Sequence, residues 1–255
     1  MISSLDIGYN GRLGNQMFQY AALVGFATKA GVLWAIPEQN SKIRRKVGTL
    51  GYEEMFELDQ GFELRYAYLD EQPKYSHYED GGVHTLPNKT CIFGYFQSEK
   101  YFIHCKQEIL KQFTFRKEIV DRAKEIVFDA EDCVSVHVRR GDYVNNQSFH
   151  PLLDKAWYEK AMTKFGDEKF IFFSDDIQWC REQFGDSHKY CQSGSGFVDM
   201  NIMSRCKGHI IANSSFSWWG AYLGGNKTIA PKKWFGESID HKNDGSIYAT
   251  GWEIL

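Results

Sequence analysis

Between Ala130 and Ala230 short apolar runs alternate with amphipathic ones at nearly even spacing, and this alternation restricts the chain more than any other feature. The apolar runs read as strands at Cys133–Val138, Lys169–Ser174, 188–191, 209–212 and 228–230. Helical periodicity fills the intervals at 154–165, 177–184, 198–206 and 215–223. Strands separated by helices cannot pair as hairpins. They pair in parallel, with helices covering the sheet, which is the doubly wound α/β architecture. The first forty residues follow the same logic once: a strand over 3–7, a glycine loop over 8–15, a helix with Met17, Tyr20, Ala21, Val24 and Thr28 on one face, and a strand over 32–36. A strand over 90–95 and helices over 99–112 and 118–128 complete this half, while residues 37–88 show no period and receive no assignment. The expectation is two Rossmann-like domains with parallel sheets, 1–128 and 129–255, facing each other so that a ligand lies between the carboxyl ends of their strands.

Composition narrows the function classes. Of 255 residues, 43% are hydrophobic and 16% aromatic, which excludes a disordered chain. The net charge of −3 carries no basic surplus for a nucleic-acid backbone, so nucleic acid is not expected as a partner. No apolar stretch approaches the roughly 20 residues that cross a bilayer, and the N-terminus lacks the pattern of a signal peptide. A cytoplasmic chain without a transmembrane segment is expected, with peripheral membrane association left open. Six cysteines occur without a C-x-x-C pair or a Cys/His cluster at ligand spacing, so they read as reduced, structural thiols and no metal site is expected.

Four segments carry more polar chemistry than structure alone requires. Gly8, Gly11 and Gly14 are spaced G-x-x-G-x-x-G between a strand and a helix, which is not the dinucleotide fingerprint, and Arg12, Asn15 and Gln16 add polar groups to the turn. The strand at 133–138 runs directly into Arg139, Arg140, Gly141 and Asp142. Alternation places His137 and Arg139 on one side and Arg140 on the other, so one guanidinium is expected to face a given pocket, where its fork suits phosphate. Asn213, Ser214, Ser215 and Phe216 follow a strand and open a helix, an arrangement that presents backbone N–H groups and hydroxyls to an anion. Trp218 and Trp219, next in line, fit a sugar-lining role and a core role equally. Asp175 and Asp176 end another strand and fit a metal, a helix cap, or hydrogen bonds to a purine or ribose.

Taken together, GRLGNQMFQYA (11–21), GYFQSEKYF (94–102), HVRRGDYV (137–144), FFSDD (172–176) and NSSFSWWGAYL (213–223) resemble the α-1,2-fucosyltransferase family, glycosyltransferase family 11. Their order and spacing run over nearly the whole chain. The resemblance implies a GT-B architecture, with the acceptor on the side of the N-terminal domain and the nucleotide sugar in the C-terminal one. It implies GDP-fucose as donor, no metal or other cofactor, inversion at the anomeric carbon, and a galactose-terminated oligosaccharide or glycolipid fucosylated at its 2-hydroxyl. A GDP-sugar-dependent fucosyltransferase with another acceptor is the alternative. By the same resemblance Arg139 contacts the donor phosphate, His137 lies near the nucleotide, Ser214, Ser215 and Phe216 hold the pyrophosphate, and Asn213 is a further substrate-binding residue. Gly14, Arg12 and Asn15 then belong to the sugar-binding loop, with Asn15 beside the transferred sugar, and Asp175 and Asp176 contact guanosine. Inversion calls for a base on the acceptor hydroxyl, for which Asp142, His150 and Asp175 are candidates.

Overall fold

The computed structural model describes residues 1–4, 7, 11–36, 54–58, 74–76 and 90–255. Gly8 and most of the segment 37–88 lie outside the described residues. The chain divides into two units, Met1–Arg116 and Lys117–Leu255. The boundary expected between 128 and 129 therefore falls earlier. The helix Lys117–Ile126 buries Ile119 and Ala123, and it packs on the helix Gly196–Arg205 of the second unit.

In the first unit, strands β1 (Ile2–Ser3), β2 (Trp34–Ala35), β3 (Lys74–Ser76) and β4 (Thr90–Ile92) form a parallel sheet in the order β2-β1-β4-β3. The helix Leu13–Ala30 crosses from β1 to β2 and is buried continuously from Met17 to Ala27, so it is a core helix rather than a surface one. It ends where Gly31 turns left-handed (φ 63°) and returns its N–H to the carbonyls of Ala27 and Thr28. The single helix expected over 99–112 is instead two 3-10 turns, Glu99–Tyr101 and Ile103–Cys105, followed by the helix Lys106–Gln112. The cause is a close backbone crossing. A Cβ on Gly25 would meet the Tyr101 carbonyl at 2.1 Å, and His104 Nε2 lies 3.0 Å from the Gly25 carbonyl.

In the second unit, β5 (Cys133–Val138), β6 (Lys169–Ser174), β7 (Lys189–Tyr190), β8 (Gly208–Ile210), β9 (Lys227–Ala230) and β10 (Glu253–Ile254) form a second parallel sheet, ordered β10-β9-β8-β5-β6-β7. Two of these strands match the sequence reading residue for residue; β10 was not foreseen, because its two-residue edge pairing leaves no periodic signal. β5 is buried along all six residues, as a central parallel strand with helices on both faces must be. Val134, Val136 and Val138 pack with Tyr158, Ala161, Phe172 and Cys180 on one face. Trp218 and Trp219 are fully buried, with Trp218 stacked on Tyr222 and its indole N–H donating to the Ile247 carbonyl at 2.6 Å, so both belong to the core. All six cysteines are buried free thiols. No helix among the described residues is long and apolar enough to cross a membrane.

The opposite face of β5 contains a polar pair. Ser135 Oγ lies 2.8 Å from Nδ1 of His209, its register partner on β8, and both residues are fully buried. His209 Nε2 has no hydrogen-bond partner, and burial pushes the imidazole down to about 4, so it is neutral at pH 7. The unfolded chain binds this proton near pH 6.5 and the folded chain only near 4, so acid favours unfolding across that window. Wild-type protein is expected to lose about 3 kcal/mol more stability than His209→Gln between pH 6.5 and 4. Urea denaturation across that range reads the difference.

Candidate active site

β5 ends at the carboxyl edge of its sheet, and the backbone then hands over Arg139 and Arg140 in opposite directions. Arg140 is committed to the helix that follows β6. Its Nε donates to Asp176 Oδ2 at 3.0 Å, and its guanidinium lies 4.1 Å from the centre of the Trp179 ring. Asp176 also accepts from the Trp179 N–H at 3.2 Å, capping the helix Ile177–Phe184. Arg139 takes a different set of partners. It pairs with Asp175 Oδ2 at 2.7 Å and with the Asp142 carboxylate, and its side chain is 17% exposed.

Asp175 is held from three directions. Its Oδ1 accepts the Arg140 backbone N–H at 2.9 Å, its Oδ2 meets Arg139, and Gly141 lies underneath. A Cβ on Gly141 would stand 2.3 Å from Asp175 Oδ2, so no other residue fits there without moving the carboxylate. Asp142 pairs with Arg139 and is 54% exposed. Among the described residues, two guanidinium groups and three carboxylates meet in this cluster.

Beside β5, the chain leaves β8 and starts the helix Ser215–Gly224. Ser214 occupies the N-cap position in an extended conformation, yet its side chain makes no capping bond, and the Ser217 hydroxyl folds back onto the carbonyls of Ala212 and Ser214. The first-turn N–H groups, which have no intrahelical acceptor, therefore receive no bond from the N-cap side chain. Phe216 projects from this turn and packs 5.5 Å from the His137 ring. His137 is 6% exposed and its Nδ1 has no partner. Burial first, and the Arg139 charge second, push its imidazole down to about 3, so it presents a neutral ring to the site.

Asn213, expected among the ligand-binding groups, is anchored through its amide nitrogen, while its buried Oδ1 has no hydrogen-bond partner among the described residues. Its Nδ2 donates to the carbonyls of Pro151 and Trp234 at 3.1 and 3.0 Å, while its own carbonyl accepts from Tyr143 at 3.0 Å. Tyr143 in turn stacks on His150 with ring centres 4.4 Å apart. Burial lowers the His150 pKa, the nearby Asp142 opposes that shift, and Arg139 adds to it. Gly141, Tyr143 and Trp179 were not singled out from sequence; the only signal for Gly141 was its place directly after the paired arginines.

The glycine loop of the first unit builds a separate polar group. Gly11 is left-handed at φ 88°, Arg12 serves as N-cap to the helix Leu13–Ala30 through its backbone, and Gly14 is buried in the first turn. Asn15 follows, and its Oδ1 accepts a 2.7 Å hydrogen bond from Gln97 Nε2. Gln97 arrives there from a strained turn. Phe96 has a φ of 50°, a region that costs a residue with a side chain about 1–3 kcal/mol, and its ring is clamped edge-on by Phe26 and Tyr101. Among the described residues no group of three His, Cys, Asp or Glu side chains is placed to hold a metal ion.

The model of a family described as Glycosyl transferase family 11 matches residues 1–255. The chain is 33% identical to an alpha-1,2-colitosyltransferase of Escherichia coli, over 88% of this chain and 90% of that protein. It is 28% identical to the galactoside 2-alpha-L-fucosyltransferase SEC1 of Bos taurus, over 88% of this chain and 65% of that one. The crystal structure of fucosyltransferase NodZ from Bradyrhizobium superposes with a TM-score of 0.57 at 13% identity, covering 87% of this chain and 92% of that one. NodZ has also been solved after soaking with GDP-fucose. At that identity the likeness concerns the fold, and it agrees with the GT-B-type α/β reading of two units with parallel sheets.

The steric dependence of Asp175 on Gly141 is testable without any ligand. Gly141 is not at positive φ, so Gly141→Ala introduces no backbone conflict and acts through the clash alone, with an expected loss of about 1–3 kcal/mol. The double variant Gly141→Ala/Asp175→Ala should be no less stable than Asp175→Ala alone, because the clashing oxygen is gone. Chemical denaturation of the three variants checks this.

Proposed function

The chain belongs to glycosyl transferase family 11, and from that premise we propose that it transfers L-fucose from GDP-fucose to the 2-hydroxyl of a terminal galactose, creating an α-1,2 linkage. The acceptor class is a galactose-terminated oligosaccharide or glycolipid. The observation that carries this reading is the meeting, at one sheet edge, of Arg139 with the uncapped helix start at Ser215. A diphosphate is the group that uses both, since the guanidinium gives bidentate charge-assisted bonds and the helix gives N–H donors. The α-1,2-colitosyl and α-1,2-fucosyl relatives support the linkage.

The donor sugar is joined to GDP in the β configuration and the product is α, so the acceptor oxygen attacks the face opposite the departing phosphate. As the C1–O bond lengthens, its electron pair passes to the β-phosphate oxygen and positive charge spreads over the sugar ring. Catalysis then rests on stabilising the leaving diphosphate, through Arg139, the Ser214 and Ser215 hydroxyls and the N–H groups of Ser215 and Phe216, the Ser214 N–H being donated to the Ala212 carbonyl. Entry of the diphosphate beside Arg139 competes with its carboxylate partners. Asp142, the more exposed of the two, is the carboxylate that yields, whereas Asp175 keeps Arg139 oriented. Of the three candidate bases, His150 alone stands outside an ion pair, and its lowered pKa keeps it unprotonated at neutral pH. Asp176 is occupied by Arg140 and by its own helix.

The colitosyltransferase relative favours one second reading of the donor. Colitose is fucose without its 3-hydroxyl, so both sugars present the same reacting centre to the same diphosphate site. Turnover of GDP-fucose against GDP-colitose separates the two.

Calorimetric titration with GDP, with and without EDTA, is expected to show metal-independent binding, and lactose is expected to yield a 2-fucosylated product. Heat from NAD or UDP-galactose in place of GDP would remove the assignment. Within the site, Arg139→Ala is expected to lower kcat about 10²- to 10³-fold. Arg139→Lys should be nearly as slow, because an ammonium cannot hold Asp175 and a phosphate oxygen in one plane. A Lys variant with more than about a tenth of wild-type turnover would remove Arg139 from this role.

A further inference from the structure

We propose that Tyr143 is a positioning residue that sets the spacing between the two anion-binding elements of the second unit, Arg139 and the helix start at Ser215, and that this spacing selects a nucleoside diphosphate over a monophosphate; this deepens the function proposed above and rests on it. The two elements leave different strands. The ladder between β5 and β8 ends at Val136 and Ile210, so Arg139 and Ser214 both lie past the last backbone pairing that holds those strands in register. Side chains continue the connection. His137 packs on Phe216 with ring centres 5.5 Å apart, a contact that any sliding of the rings would preserve. Tyr143 supplies the directed link: its hydroxyl donates to the Asn213 carbonyl at 3.0 Å, directly before the Ser214 N-cap, and the Arg139 guanidinium lies 5.3 Å from the centre of its ring, within cation–π range.

The surroundings of Tyr143 keep it from turning. It is 9% exposed, its ring stacks on His150 with the planes 12° from parallel, and its N–H is held by the Arg140 carbonyl at 2.7 Å. Asn213 donates Nδ2 to the Pro151 carbonyl, so the excursion from Tyr143 to Pro151 meets Asn213 at both of its ends. Its outer part is pinned too. Gly236 donates its N–H to the Phe149 carbonyl at 2.8 Å, Ser238 donates to the Ser148 carbonyl at 2.9 Å, and a Cβ on Gly236 would stand 2.2 Å from that Ser148 oxygen. The Tyr143 hydroxyl is itself buried and committed to Asn213, so this residue acts through its neighbours and not on the ligand. A single phosphate is held by either element alone, whereas two linked phosphates engage both only when the separation of guanidinium and helix start matches the bridge between them.

Tyr143→Phe keeps the ring against Arg139 and His150 and removes only the bond to Asn213. Calorimetric titration of this variant is expected to show GDP affinity lowered about tenfold and GMP affinity unchanged. Both nucleotides are read on the same folded protein, so a general loss of stability does not produce that difference. In an Arg139→Ala background, Tyr143→Phe should weaken GDP no further, because one of the two elements it spaces is already gone. Unchanged GDP affinity, an equal loss for GMP, or losses that multiply in the double variant would each overturn the spacing role. A wild-type chain that binds neither nucleotide would sink the proposed function and this inference together. A chain that binds both, with the same ratio of affinities before and after Tyr143→Phe, sinks the inference alone.

Discussion

A guanidinium taken out of water must be neutralised, and the second unit is arranged around doing so for two of them at once. Arg139 and Arg140 emerge side by side from a strand that is buried along its whole length, and each finds a carboxylate just past the end of the neighbouring strand β6, Asp175 and Asp176. Partly buried ion pairs of this kind gain little net stability, because desolvation offsets most of the attraction. What they provide is direction. Asp175 is bonded by the Arg140 backbone and by the Arg139 side chain, so it registers β6 against β5 and aims Arg139 in the same contact. Without it the arginine would be one more mobile surface cation.

The neighbouring elements follow the same division between fixing and offering. Asn213 uses its amide to tie the turns at Pro151 and Trp234, and the indole rings that follow are sunk in the core. That rigid support lets the start of the helix Ser215–Gly224 stay uncapped. An open helix end is unfavourable in isolation, and it survives here because the tryptophans behind it supply the stability that a cap would otherwise contribute.

How far the sequence reveals this depends on the range of the interaction. The strands Cys133–Val138 and Lys169–Ser174 and the helix Ile177–Phe184 were legible because burial on both faces writes a local pattern. Strand alternation also separated Arg139 from Arg140. The helix expected over 99–112 fails because its interruption comes from Gly25, some 75 residues away, pressing on Tyr101, and no local propensity records that. The same holds for Gly141, whose purpose is visible only once Asp175 is above it, and for Gln97, which sits in a motif but whose partner is in another. The tryptophan pair stayed undecided in sequence since a core ring and a ligand-facing ring read alike.

The crowding at Gly141 also bears on how such a chain can vary over descent. Position 141 cannot gain a side chain while position 175 keeps its carboxylate, and position 175 cannot lose that carboxylate without releasing Arg139. Each change is harmful until the others have been made, so the three are inherited as a block, although 175 is remote from 139 and 141 in the chain. Asp142, adjacent in sequence and 54% exposed, takes no part in that clash. Divergence in this corner of the fold is therefore constrained at 139, 141 and 175 together.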